Sequence, residues 1–290
     1  MNSADTTWAS EVEPVPLLFL NAFVIILLVG CAIAWSRRLR RPSVSGGYLS
    51  PWSLSWLDAV AIIGSAIVLI WFAQNFVVAM LRLYHGGDFS LSDPSLWILV
   101  AFGLAVQLPL LLTVVLGRIL FPKHFPRFLR ERRLEVGESL RILADVYFRF
   151  LPVVMLIMLG WTFLLGLAAK SGWIDPVEPQ LLVTAFAFAD DWLARLAFFI
   201  LAVVVAPIAE ELFFRGIVYR FFKEKIGLSL AMLLSAVLFA MVHNSLHAFA
   251  GLVVFGVLLA HLYERTGDIR VPIFFHAAFN LTSLLILSLL

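Results

Sequence analysis

The stretch that decides the fold is VVAPIAEELFFRGIVYRFFKEK, residues 204–225. Glu210, Glu211 and Arg215 stand in an otherwise strongly apolar run that continues as LFFRGIVYRFF past the carboxylates. Ionisable side chains inside such runs are rare because burying a charge is costly, and they mark candidate functional sites. If the run ends near Arg220, the two carboxylates lie about 15 Å deep, at ~1.5 Å per helical residue.

The composition of the whole chain indicates a membrane protein. Of the 290 residues, 62% are hydrophobic and 14% are charged. Soluble domains are about half apolar and about a quarter charged, so the surplus apolar surface is best explained by contact with lipid. Cys31 is the single cysteine, which excludes a disulfide framework and a four-cysteine metal site.

We predict an all-α, polytopic transmembrane bundle, because apolar runs of about 20 residues recur along the chain. The runs lie at roughly 15–36, 56–81, 95–117, 150–169, 193–220, 228–247, 248–263 and 271–290. We therefore expect about eight spans. The last three runs are short or closely joined, so seven spans is the alternative.

The distribution of Lys and Arg predicts the orientation. Basic clusters follow the first run (37–41), fill the long loop 118–149 and end the fifth run (220–225), whereas the intervening loops are acidic or nearly neutral. Cytoplasmic loops carry the excess of positive charge, so we expect the N-terminus outside. No Lys or Arg precedes the first apolar run, and a cleaved signal peptide is therefore not expected.

Two regions are expected: a three-span N-terminal part with a basic cytoplasmic loop (1–150) and a bundle at 151–290 whose catalytic core covers about 193–285. The loop lacks the interleaved aromatic residues of a nucleic-acid-binding surface, so no nucleic acid partner is expected. Part of it, at 130–142, is predicted to be an amphipathic helix lying against anionic lipid.

Polar side chains inside the predicted spans fall into two groups. For the scattered Asp58, Gln74, Asn75 and Gln107, we favour interhelical hydrogen bonding or helix capping. The denser group comprises Glu210, Glu211, Arg215, His243, His247, His261, His276 and Asn280. For His261, near the end of its span, we favour a structural role.

Helical spacing assigns the two adjacent carboxylates to different partners. Glu210 and Glu211 point about 100° apart on a helix, so they cannot both face one partner. Arg215 follows Glu211 by four residues, the spacing that stacks side chains on one face. We therefore pair Glu211 with Arg215 and leave Glu210 for another helix, as a group that takes and returns a proton. Pro207 removes one backbone hydrogen bond and is expected to kink the span.

Two further pairs repeat the four-residue spacing on the following spans. Phe239 and His243 are expected one above the other, with His247 one turn further on the same face. His276 and Asn280 share a face of the last span, and both can donate hydrogen bonds to a developing oxyanion on a substrate carbonyl.

Other membrane protease chemistries lack their motifs in this sequence. The zinc motif H-E-x-x-H is absent, and GLSL at 227–230 fails as a Gly-x-Ser-Gly serine site. TGDI around Asp268 lies in a short polar loop and lacks the first glycine of an aspartyl protease motif.

Three motifs occur in order: EELFFR as E-E-x-x-x-R, FAMVH as F-x-x-x-H and HAAFN as H-x-x-x-N. Together they resemble the CAAX protease and bacteriocin-processing (CPBP) family of intramembrane endopeptidases, related to the type 2 CAAX prenyl proteases. The resemblance covers roughly 193–285, and YERTGDIRVPIFFHAAFN is typical of bacterial members, so a bacterial inner or cell membrane is the expected location. The first four spans carry no matching motif.

The resemblance implies a residue-by-residue mechanism. Glu210 would act with His243 to activate a water molecule for peptide hydrolysis. His276 and Asn280 would stabilise the oxyanion. Glu211 and Arg215 would form the supporting ion pair.

The expected partners are a peptide or protein substrate at the membrane and the lipid bilayer. We expect no cofactor; zinc is the less favoured alternative, since two glutamates and two histidines stand together but asparagine is a poor zinc ligand. Cleavage of prenylated substrates is not specifically predicted. The alternative functions are a non-catalytic scaffold or peptide-binding immunity protein and, less favoured, a small proton-coupled transporter.

Overall fold

A computed structural model describes residues 49–50, 52, 54–85, 94–122, 134–175, 185–186 and 189–289, with residues 22, 25–26, 29–33 and 36 of the first apolar run. The described part is built of helices, which confirms the predicted all-α membrane fold. The helices are α1 (Trp56–His85), α2 (Leu96–Leu120), α3 (Val136–Lys170), α4 (Trp192–Ile226), α5 (Leu228–Val242), α6 (Phe249–Thr266) and α7 (Arg270–Leu289).

Six helices of the described part are long and apolar enough to cross a membrane: α1, α2, α3, α4, α6 and α7. Helix α5 replaces the predicted span at 228–247 but has only 15 residues. At ~1.5 Å per residue it is shorter than the ~30 Å hydrocarbon layer. The predicted span at 15–36 lies largely outside the described residues, so the total of about eight spans stays a prediction.

Helix α3 differs from the sequence-based expectation at its N-terminal end. The predicted span at 150–169 begins 14 residues earlier, at Val136, because 136–149 continue the same helix. The predicted interfacial helix at 130–142 lies outside the described residues up to 133, and from Val136 it forms the first turns of α3. The division between two regions at residue 150 therefore falls inside a continuous helix.

The helix ends that are predicted to be cytoplasmic lie together at one end of the bundle, where polar contacts join them. Lys223 Nζ lies 2.7 Å from Glu264 Oε1 and donates to the Leu49 carbonyl oxygen at 2.7 Å. Arg270 Nη2 donates to the Leu134 carbonyl oxygen at 3.0 Å. These contacts join segments before α1 and α3 to the ends of α4 and α6 and the start of α7. The arrangement agrees with the predicted alternation of spans, and its orientation in the membrane stays a prediction.

The opposite end of the bundle is joined by an exposed contact between α2 and α4. Asp191 caps α4, because its Oδ1 accepts hydrogen bonds from the backbone N–H groups of Leu193 and Ala194. The Trp97 indole N–H donates to its other oxygen at 2.7 Å. Chiefly through the indole hydrogen bond, these donors hold the pKa of Asp191 below its ordinary value.

The C-terminal half of α4 forms the centre of the bundle. From Glu211 to Tyr219 every residue except Leu212 is buried. A helix covered on all sides must satisfy its polar groups within the protein, since neither water nor lipid headgroups reach them. The ionisable side chains of this segment therefore require partners from the surrounding helices.

Candidate active site

The Glu211 carboxylate is held by a cation and a histidine. Arg215 Nη1 lies 2.9 Å from Glu211 Oε1, one helical turn away, as the spacing predicted. His276 Nδ1 of α7 lies 2.9 Å from the same oxygen and, since a carboxylate only accepts, donates to it. Glu211 is 0% exposed and Arg215 is 1% exposed, so this is a buried, hydrogen-bonded ion pair.

The Arg215 guanidinium also holds α5 and α6 against α4. Its Nη2 donates to the Gly256 carbonyl oxygen at 3.3 Å, and its central carbon lies 4.4 Å from the centroid of the Phe239 ring. A Cβ atom at position 256 would lie 2.9 Å from the Ala236 Cα atom. Glycine at this position therefore permits the close approach of α5 and α6 around the arginine.

Glu210 shares one partner with Glu211, because the two ring nitrogens of His276 lie beside different carboxylates. The prediction that both carboxylates cannot face one partner is therefore wrong for His276. Gln107 Nε2 of α2 donates to Glu210 Oε1 at 2.8 Å. The other oxygen, Oε2, lies 3.8 Å from His243 Nε2 and 3.9 Å from His276 Nε2. These distances exceed hydrogen-bond length and are within the reach of one bridging water molecule.

The hydrogen bonds of the two histidines determine what their Nε2 atoms can do. His243 Nδ1 donates to the Phe239 carbonyl oxygen at 2.7 Å, and His276 Nδ1 donates to Glu211. In a neutral imidazole with a protonated Nδ1, Nε2 carries a lone pair. Both Nε2 atoms therefore present acceptors toward the acceptor Oε2 of Glu210. Three acceptors around one point favour a hydrogen-bond donor between them.

The end of α5 determines the position of His243. The helix ends at Val242, and His243 is its C-terminal cap, with its ring 4.6 Å from the Phe239 ring. The predicted stacking of Phe239 and His243 is confirmed. The prediction that His247 continues the same helix face is wrong, because a turn follows α5 and places His247 Nε2 3.4 Å from Thr162 Oγ1 of α3.

Asn280 contacts the backbone of α4, where the helix is irregular. Leu201–Val205 form a π-helical turn in which the Ala206 N–H bonds to the Leu201 carbonyl oxygen. In the same register the Ala202 carbonyl would accept from residue 207, but Pro207 has no N–H group. Asn280 Nδ2 donates to that carbonyl at 2.8 Å. The amide therefore replaces the backbone hydrogen bond that the proline removes.

The structure brings five of the six predicted site residues into one contact network. Glu210, Glu211, Arg215, His243 and His276 are joined by the contacts above, whereas Asn280, one turn beyond His276, is bound to the Ala202 carbonyl.

Gln107 contacts the candidate site, which the sequence does not predict. The predicted interhelical hydrogen bond is present, but its partner is the candidate base. An amide inside a span was the available signal, and nothing in the sequence pointed from it to Glu210.

A second π-helical segment, Glu211–Tyr219, follows Glu210 directly. Such segments frequently lie at functional sites, because they rotate side chains relative to a regular α-helix. Within the described residues, no group of three or more His, Cys, Asp or Glu side chains has an arrangement that could hold a metal ion.

Comparison with known proteins identifies the segment that carries this site. Residues 192–282 match the family model described as type II CAAX prenyl endopeptidase, Rce1-like. The family resemblance predicted from the three motifs is confirmed. This Rce1-like segment contains α4 to α7 up to residue 282, and with them all six predicted site residues. Together with the six apolar helices, it makes the chain a multi-pass integral membrane protein.

Two curated bacterial proteins are similar to this chain. The "Putative membrane peptidase YdiL" of Bacillus subtilis (strain 168) is 40% identical over 81 residues, which are 28% of this chain and 33% of that protein. The "UPF0177 protein YbdI" of Lactococcus lactis subsp. lactis (strain IL1403) is 36% identical over 99 residues, 34% of this chain and 53% of that protein. The similarity thus spans about a third and about half of these relatives. No solved structure matches the chain.

Proposed function

We propose that this protein is an intramembrane endopeptidase that hydrolyses a peptide bond of a membrane-associated peptide or protein. The observation that carries the proposal is the arrangement around Glu210 Oε2, which faces the Nε2 atoms of His243 and His276 at 3.8 and 3.9 Å. One water molecule spans such distances and donates two hydrogen bonds, so it would satisfy the carboxylate and one imidazole. The similarity of the segment to membrane peptidases supports the same conclusion.

In the proposed reaction Glu210 acts as a general base with His243. As the water oxygen attacks the scissile carbonyl carbon, one water proton passes to Glu210 and a C–O bond forms. The tetrahedral intermediate then breaks its C–N bond, and the proton passes from Glu210 to the leaving amine. Glu210 is 8% exposed, and exclusion of bulk water strengthens the electrostatic interactions that such proton transfers use.

His276 and Asn280 are the proposed oxyanion donors. In the neutral ring His276 Nε2 accepts a hydrogen bond, so its role as an oxyanion donor requires the doubly protonated imidazole, in which both ring nitrogens donate and Nδ1 stays bound to the Glu211 carboxylate. Asn280 uses one N–H on the Ala202 carbonyl and retains a second. Removal of one oxyanion donor typically costs about 100-fold to 1,000-fold in kcat.

The proposed mechanism uses no metal ion, with zinc as the alternative. The proposed substrate is a peptide or protein that reaches the site from the bilayer, and prenylation is not required of it. The proposed location is a bacterial inner or cell membrane, in agreement with the bacterial relatives.

The test is peptide cleavage by the purified protein in detergent. The membrane protein fraction of the expression host serves as substrate, and mass spectrometry identifies new amino termini. We expect Glu210→Gln and His243→Ala to lower the cleavage rate by at least about 100-fold, the lower bound for loss of a positioned base. Glu224→Gln and His261→Ala, which change exposed residues of the same types, are the matched controls and should retain activity.

Different outcomes would contradict different parts of the proposal. Full cleavage by both Glu210→Gln and His243→Ala overturns the catalytic roles. A loss of activity with a chelator that zinc restores overturns the metal-free mechanism. Peptide binding without cleavage by the wild-type protein indicates a scaffold, and a proton flux in liposomes that Glu210→Gln abolishes indicates a transporter.

A further inference from the structure

Gln107 connects the candidate site to a part of the chain that the family match does not cover. It lies on α2, 85 residues before the Rce1-like segment (192 − 107), and its Nε2 donates to Glu210 Oε1 at 2.8 Å. The side chain is 8% exposed. Among the described side chains, Gln107 is the one within direct hydrogen-bond distance of Glu210, and both histidines lie farther away.

The two adjacent carboxylates therefore differ in the charge of the group that holds them. Glu211 is bound by the Arg215 cation, which stabilises its ionised form. Glu210 is bound by a neutral amide. A neutral partner opposes protonation of a carboxylate less than a cation in direct contact does, so Glu210 is the one of the pair suited to exchange a proton.

An amide side chain can hydrogen-bond to either protonation state of a carboxyl group. Its NH₂ donates to a carboxylate, and its carbonyl oxygen accepts from a carboxylic acid O–H after a half-turn of the amide. Gln107 Oε1 is buried and has no hydrogen-bond partner in the described structure, so it is available for the second state. The hydrogen bond to the ionised state is the stronger of the two, because its acceptor is charged.

We propose that Gln107 is a positioning residue for Glu210, which fixes the carboxylate with Oε2 directed toward His243 and His276. The proposal rests on the proposed peptidase function. It deepens that function because it assigns a part of the site to α2, outside the Rce1-like segment. Substrate does not contact Gln107 in this scheme; the residue acts through the orientation and protonation of Glu210.

Several charged or titratable groups act on Glu210 from the elements around it. They are His243 from the end of α5, His276 from α7, and Glu211 and Arg215 from its own helix. Substitution of Gln107 leaves all of them in place. A change in the pH dependence of activity on substitution of Gln107 therefore reports the loss of the amide.

The test compares Gln107→Met and Gln107→Glu with the wild-type protein and the control Gln74→Met on α1. We expect both variants to lower kcat by about 10-fold to 100-fold, the effect of one hydrogen bond to a charged group, with KM changed less than about 3-fold. The acid limb of the pH–kcat/KM profile should move to higher pH in both, because the ionised base loses a donor. It should move further in Gln107→Glu, which adds a like charge.

An infrared pH titration separates this proposal from the proposed function. The carboxylic acid C=O band that Glu210→Gln removes identifies protonated Glu210, and no substrate is needed. In Gln107→Met this band should titrate at higher pH than in the wild-type protein. Unchanged kcat and an unchanged band in Gln107→Met overturn the positioning role, even if Glu210→Gln abolishes cleavage. If the band shifts in Gln107→Met but the wild-type protein has no peptidase activity, the positioning of Glu210 by Gln107 is supported and the proposed function is rejected.

Discussion

Two neighbouring glutamates have different surroundings in this site, although His276 lies beside both, because a helix turns their side chains apart. Glu211 and Arg215 are one turn apart, so their contact is local and follows from sequence spacing. Glu210 is turned away and meets side chains from α2 and α7 and from the turn after α5. In the proposed mechanism Glu211 is a structural anion, whereas Glu210 is the group that exchanges a proton.

The buried ion pair should be far more sensitive to the loss of one charge than to the loss of both. Arg215→Met leaves the Glu211 carboxylate buried without its cation, which should lower the free energy of unfolding by about 3–5 kcal/mol. Glu211→Gln combined with Arg215→Met removes both charges and should recover much of this loss. Unfolding by SDS in mixed micelles measures both.

The control for this prediction is Lys170→Met, which removes an exposed charge at the end of α3. Surface substitutions of this kind change the free energy of unfolding by at most about 0.5 kcal/mol. Equal losses in Arg215→Met and in the double variant would show that the guanidinium stabilises the bundle through Gly256 and Phe239 rather than through Glu211.

At the scale of the helix, α4 combines a proline, two π-helical segments and a side chain from another helix. Pro207 interrupts the backbone hydrogen bonds one turn before Glu210, and Asn280 of α7 supplies the donor that the Ala202 carbonyl lacks. The irregular backbone is tolerated at membrane depth because a side chain from a neighbouring helix satisfies the freed carbonyl group. The interruption therefore ties α7 to α4 next to the site.

Pro207 and Asn280 should be energetically coupled. Asn280→Ala leaves the Ala202 carbonyl without a donor and should lower the free energy of unfolding by about 1–3 kcal/mol. In a Pro207→Ala background residue 207 regains its N–H, so the same Asn280→Ala change should cost less. A double-mutant cycle of SDS unfolding measures the coupling. Strictly additive effects would contradict the replacement of the backbone bond by Asn280.

Residue spacing predicts the local contacts of this arrangement, and the family resemblance implies that the three motifs act together, but neither predicts the contact from α2. The Glu211–Arg215 and Phe239–His243 contacts follow from a four-residue spacing, which fixes proximity on any helix. The Gln107–Glu210 contact joins residues 103 apart, and only the packing of α2 on α4 creates it. Spacing does not show where α5 ends. The prediction for His247 assumes that the helix continues, whereas it ends at Val242.

At the scale of the whole molecule, the polar contacts described above lie at the two ends of the bundle and in one buried site between them. Lys223, Glu264 and Arg270 lie at one end with the segments that precede α1 and α3. Trp97 and Asp191 join α2 to α4 at the other end. Indole side chains are enriched at membrane interfaces, and the basic end carries the charges that cytoplasmic surfaces accumulate. This division predicts a definite orientation.

The basic end should face the cytoplasm, and accessibility of introduced cysteines tests this. Cys31 is the single native cysteine, so Cys31→Ser provides a background without thiols. In spheroplasts a membrane-impermeant maleimide should label Ser171→Cys after α3, whereas Glu224→Cys near the end of α4 should react only after lysis. Both positions are exposed, so a difference in labelling reports the side of the membrane rather than burial. The reverse pattern would place the N-terminus in the cytoplasm and contradict the positive-inside assignment.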